Sequence, residues 1–112
     1  MIDLSLLQDL FGDDELVKKY LVNFKKEAPK QIENIKDHIH QNRPLEASIE
    51  AHSLKSQLAY LKEEEAMELA YDIEKLGSSG DLQNQNSMQL KMDHLESKIL
   101  NVLDVIENDY RI

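Results

Sequence analysis

The sequence predicts an all-α fold, an antiparallel up-down four-helix bundle with a short additional N-terminal helix. Three observations predict it. Apolar residues recur at spacings of three and four through most of the chain, the pattern of amphipathic helices. Only three glycines and two prolines interrupt the 112 residues, and each falls where a helix would stop, start or bend. The apolar fraction, 41%, is mostly Leu, Ile, Val and Ala, with two Phe, four Tyr and no Trp, a palette suited to packed helices. A chain of this length fits one domain, taken as residues 1–112, with a modest core.

The elements follow in order. Residues 3–11 carry Leu4, Leu7, Leu10 and Phe11, one or two amphipathic turns, and Gly12 stops them. Asp13 or Asp14 caps a second helix, whose stripe of Leu16, Val17, Tyr20, Leu21, Phe24, Ala28, Ile32, Ile35 and Ile39 runs for about 25 residues. Pro29 lies within it, lacking an N–H and crowding the Lys25 carbonyl; because the stripe continues in register, a kink is expected and not a break. Asn42 and Arg43 form a turn. Pro44 suits the first position of a third helix, where its missing N–H is not needed, and Ala47, Ala51, Leu54, Leu58 and Leu61 form that helix's inner face. A fourth helix starts near Glu63, with acidic residues favoured in its first turn by the helix dipole. Ala66, Leu69, Ala70, Ile73 and Leu76 face inward, and the run Gly77-Ser78-Ser79-Gly80-Asp81 ends it. After the polar stretch Gln83, Asn84, Gln85 and Asn86, a last helix is expected from about Ser87, burying Met88, Met92, Leu95, Ile99, Val102, Leu103 and Ile106. Short turns between amphipathic helices make them antiparallel neighbours, with the first short helix covering one end.

Charge and composition exclude several function classes. Asp and Glu outnumber Lys and Arg by 22 to 13, for a net charge of −9, which opposes binding to nucleic acid when the cations are scattered. No run of about 20 apolar residues could span a bilayer, and Asp3, Gln8 and Asp9 interrupt the N-terminus where a secretion signal would be apolar. The absence of cysteine rules out disulfides and thiolate chemistry. His38, His40 and His94 lack the spacing of helical metal ligands, and no glycine-rich phosphate loop is present. The composition points to the cytoplasm.

The most informative residues are His52 and Lys55, in the run Ala51-His52-Ser53-Leu54-Lys55. Three residues are nearly one helical turn, so imidazole and ammonium emerge on one side and can meet one ligand. At roughly 100° per residue, His52 projects about 140° from the centre of the third helix's apolar stripe, which predicts exposure. A neutral imidazole is a nucleophile and a nearby cation favours an anion on it. The pair therefore suggests a histidine that accepts a phosphoryl group.

That stretch, followed by residues 59–61, by Ile73-Glu74-Lys75-Leu76-Gly77 and by Gly80-Asp81, resembles the histidine-containing phosphotransfer (HPt) domain family. The order of the other helices, including Phe24 and Ala28-Pro29 on the long second one, extends the resemblance along the whole chain. It implies a phosphorelay intermediate in which His52 receives a phosphoryl group from a receiver-domain aspartate and passes it to another, with response-regulator receivers or a hybrid sensor kinase as partners. It also implies no ATP-dependent kinase activity and no cofactor in this chain, Mg2+ belonging to the receiver. A monomer is the simplest expectation for such a carrier. An imidazole of ordinary pKa, about 6.5, is largely neutral at cellular pH, so exposure matters more than activation. Lys55 is placed to neutralise charge on the phosphoryl oxygens.

Two positions depart from the family pattern. Ser56 stands where the family has glycine beside the histidine; it could crowd the phosphoryl group or donate a hydroxyl hydrogen bond to it. Lys62 stands where a later glycine is usual, a position that strains a non-glycine residue if the cap is left-handed. Leu45, Ile49 and Ala59, with Leu7, Leu10 or Phe11 from the first helix, are candidates for an apolar docking patch, each of them equally able to pack against a neighbouring helix. Glu27 matches a position near the histidine in the family, or is an ordinary solvated carboxylate. A carrier and a degenerate relative that docks a receiver or kinase without accepting phosphate both remain open, as does a purely structural bundle with His52 buried.

Overall fold

The computed structural model describes residues 2–112. Local chemistry sets each helix end. At the first helix, α1 (Ser5–Phe11), the Asp3 carboxylate accepts from the Ser5 N–H at 2.8 Å. Gly12 ends it in the left-handed conformation at φ 62°, which glycine adopts without a Cβ clash. Asp13, not Asp14, caps α2 (Asp14–His40), accepting from the Glu15 N–H at 2.8 Å. Pro29 is accommodated inside an unbroken helix. α3 (Pro44–Tyr60) begins at the expected proline, and the turn into α4 (Glu64–Ser78) places Lys62 at φ 53°, so the lysine takes the left-handed geometry that glycine would take more easily.

One boundary differs from expectation. The last helix, α5 (Gln85–Asp109), starts at Gln85 and not near Ser87, because a 3-10 turn at Leu82–Asn84 leads directly into it. Asp81 starts that turn by accepting from the Gln83 N–H at 2.9 Å, and Gln85 donates to the Ile39 carbonyl at 2.9 Å. Residues that read as a polar connector thus hold α5 to the end of α2.

The inward stripes pack as predicted, with Phe24, Leu54, Leu58, Ile73, Met92, Leu95 and Ile99 among the fully enclosed side chains. Leu16 is the exception: it is 41% exposed, because the buried stripe begins at Val17 and the preceding position is turned about 100° away. Leu69, Leu76 and Leu103 are only partly buried.

The helices form a closed ring in chain order, with α3 against α2 and α4, and α5 against α4 and α2. Cross-helix pairs show that neighbours run antiparallel. Gln31 and Tyr20 of α2 meet Ser53 and Gln57 of α3. Asp72 and Glu65 of α4 meet Lys91 and Lys98 of α5, and Lys36 and Lys25 of α2 meet Glu96 and Glu107. Ahead of α1, the Asp3 N–H donates to the Leu61 carbonyl at 2.9 Å, tying the N-terminal segment to the end of α3. No helix of the described residues is long and apolar enough to cross a membrane.

The α3–α4 contact positions the site. Gly77 is buried on α4 against the Pro44 carbonyl and Ser48 of α3, and the Ser48 hydroxyl donates to the Glu74 backbone carbonyl at 2.9 Å. The absence of a side chain at Gly77 lets the helices approach closely. Glu74, nearly one turn before it, is thereby carried to the outer face of α3.

Candidate functional site

α3 buries Ala47, Ala51, Leu54 and Leu58, which turns His52 outward from the middle of the helix with its side chain 60% exposed. The ring does not hang free. Its Nδ1 lies 2.6 Å from Oε2 of Glu74, while Lys55 Nζ donates to the other oxygen, Oε1, also at 2.6 Å. One carboxylate on α4 therefore clasps both residues that the sequence singled out on α3.

Glu74 is the more sheltered partner, with its side chain 20% exposed. Burial is the largest single influence on its carboxyl and opposes ionisation, but the hydrogen bonds and charges of Lys55 and His52 together outweigh it and hold the group below the usual carboxylate range. An ionised carboxylate can only accept hydrogen bonds, so Nδ1 of His52 carries the proton. In the neutral ring the lone pair is then on Nε2, the nitrogen that Glu74 does not engage.

Around this pair the structure separates the predicted residues. The Ser56 hydroxyl donates to the His52 backbone carbonyl at 3.2 Å, so it is engaged within its own helix. Ser53 beside His52 accepts from the Gln31 amide of α2 at 3.3 Å. Glu27 lies one turn before Gln31 on α2 and pairs with Lys30 at 3.8 Å; sequence reasoning passed over Gln31, which reaches Ser53 beside His52. Leu45 and Ile49 are exposed on α3 ahead of His52, Ile49 by 71%. Beyond its other end, exposed Phe11 and Tyr60 flank Tyr20, with ring centres 6.5 and 6.1 Å from it, and Leu10 is exposed nearby on α1. Ala59 is half-buried and, with Lys55, Ser56, Met67 and Tyr71, lines an open groove of about 610 Å³ between α3 and α4.

Leu7 is corrected. It is fully enclosed, with 0% exposure, so it belongs to the core and is unavailable to a docking patch; on a helix as short as α1 its spacing from Leu10 could not say which of the two turns inward. Glu74 is the residue sequence reasoning missed as a site member. Its signal was its place inside the Ile73-Glu74-Lys75 run, where it reads as one of several acids on an exposed helix face.

The arrangement combines an exposed imidazole whose Nδ1 is engaged by Glu74, a neighbouring cation, and exposed apolar side chains on α3 and α1. The model of the Hpt domain family matches residues 19–108, from the second turn of α2 almost to the end of α5. Comparison with curated proteins and with solved structures found no match. The chain belongs to the Hpt domain family, the helical-bundle domains of histidine phosphotransfer in two-component signalling, which interact with receiver and kinase domains.

Proposed function

We propose that this protein is a phosphotransfer intermediate of a multistep phosphorelay, carrying a phosphoryl group on Nε2 of His52 between receiver-domain aspartates. The observation that carries the reading is the Glu74 clasp: Nδ1 is bound at 2.6 Å while the ring remains 60% exposed. In the transfer step the Nε2 lone pair attacks phosphorus, the P–N bond forms, and the acyl phosphate P–O bond breaks to return the receiver's carboxylate. The imidazole gains positive charge as it reacts, and Glu74 stabilises that charge through the Nδ1 proton. Lys55, within reach of the same carboxylate, neutralises the phosphoryl oxygens; Mg2+ is supplied by the receiver, and this chain needs no cofactor.

Leu10, Phe11, Leu45, Ile49 and Ala59 form the apolar surface on which a receiver or hybrid kinase docks, with Glu27 at its edge. The protein acts as a cytoplasmic monomer without nucleic acid or membrane as partner. A second reading, an adaptor that docks a receiver without being phosphorylated, is favoured by Ser56, whose hydroxyl is committed to the His52 carbonyl and adds bulk where the family has glycine. Lys62 supports the carrier reading, since its φ of 53° keeps the turn that a glycine would make.

The two readings separate on one experiment. Incubation with a panel of phosphorylated receivers gives acid-labile, alkali-stable label on the wild type and none on His52→Gln. If the two behave alike across the panel, the carrier reading fails; binding without label supports the adaptor.

A further inference from the structure

Tyr71 lies on α4 nearly one turn before Glu74. It adds nothing to the core cluster and is 45% exposed, yet the Lys55 ammonium sits 4.7 Å from the centre of its ring and the Lys75 ammonium 4.5 Å from it. Both distances are within the roughly 6 Å over which an aromatic face attracts a cation. Lys55 is thus held at two points, by Glu74 Oε1 and by the ring.

The two anchors respond differently to a phosphoryl group on His52. Such a group brings nearly two negative charges, which compete with Glu74 for the Lys55 ammonium. A lysine released from a single anchor regains the rotamer freedom of a flexible four-carbon stem, and ordering it again in each transfer opposes the reaction. The ring face is uncharged and attracts the ammonium without fixing the direction of its N–H groups. Lys55 can therefore turn from Glu74 to the phosphoryl oxygens while staying on Tyr71. Lys75, paired with Asp72 at 3.7 Å, adds a second positive charge at the same ring.

We infer that Tyr71 is a positioning residue that keeps Lys55 at His52 while its ammonium moves between Glu74 and the phosphoryl group. The inference rests on the carrier reading of His52. Because Tyr71 lies outside the core, Tyr71→Leu keeps the bundle folded. In it the Lys55 ε-methylene protons lose their ring-current shift by NMR, and phosphoryl transfer from a receiver to His52 slows about two- to fivefold, the range expected for an exposed cation–π contact. Tyr71→Phe, which retains the ring face, rescues both the shift and the rate, and in a Lys55→Ala background Tyr71→Leu slows transfer no further. A labelled wild type whose rate and Lys55 shift are untouched by Tyr71→Leu overturns this assignment alone, as does a Tyr71→Phe protein as slow as Tyr71→Leu. A wild type that takes no label overturns the carrier reading and this role together.

Discussion

Gly77→Ala tests the close approach of α3 and α4 on which the site depends. An added Cβ would fall inside the van der Waals shell of the Pro44 carbonyl oxygen and lie 3.1 Å from Ser48 Cβ and 3.2 Å from Ser48 N. Alanine favours the helix over glycine by about 1 kcal/mol. Against this, overpacking costs about 1–3 kcal/mol and sometimes more, and the upper end applies because two of these neighbours are backbone atoms, which cannot swing aside. The expected net loss is about 2 kcal/mol, which for a domain of this size lowers Tm by roughly 10 °C. Urea denaturation of the variant should show a lower midpoint at unchanged slope, and the His52 and Glu74 NMR signals should shift together as α4 moves outward. Gly12→Ala is the control: nothing lies within 4 Å of its Cβ and only the left-handed φ of 62° opposes it, so its loss is about 1–2 kcal/mol without any change at His52. A Gly77→Ala protein as stable as wild type, with an unmoved His52 environment, would refute the argument that a missing side chain sets the α3–α4 distance.

Three further perturbations address the site. Lys55→Ala leaves the fold intact and slows transfer about tenfold, the lower end for a charge-assisted contact on a side chain that is 24% exposed; an unchanged single-turnover rate would make Lys55 incidental. Glu74→Gln is less stable than wild type at neutral pH, and because the folded carboxyl is held below its ordinary value of 4.5, the wild-type advantage persists above that pH and closes as pH falls through the lower, folded-state pKa. Urea midpoints of both proteins from about pH 7 to pH 3 check this, and an advantage still growing below about pH 4 contradicts the assigned sign. Ile49→Glu changes stability by no more than about 0.5 kcal/mol, as for a typical surface site, but weakens receiver binding tenfold or more if the side chain is buried on docking; an unaltered Kd by calorimetry places the docking surface elsewhere.

The long helices were readable because their cores repeat every three or four residues, and the ends of α1 and α3 because Gly12 and Pro44 act through the backbone alone. What the pattern could not carry is tertiary. Gln85 and Asn86 read as connector by composition, yet the hydrogen bond from Gln85 to Ile39, 46 residues earlier, makes the first of them the start of α5. Leu7 and Leu10 looked alike until packing put one inside and the other out. His52 and Lys55 could be recognised because one helix turn relates them. Their link to Glu74 depends on how closely α4 packs on α3, and that is decided by Gly77 and Ser48, residues without chemistry of their own. Ser56 shows the reverse case: its place beside His52 was plain, but the direction of its hydroxyl, back onto its own helix, is a matter of conformation.

The Glu74 clasp has a consequence for traffic through the protein. With Nδ1 occupied, His52 offers a single nitrogen on one open face of a molecule only 45 × 23 × 19 Å across, and a donor seated over that nitrogen shuts out an acceptor. If His52 carries phosphate as proposed, its two partners must queue for one berth. Each must leave before the next arrives, so long-lived complexes would choke the relay, and the direction of flow would be set by how many charged and uncharged receivers are present, not by any asymmetry built into this chain.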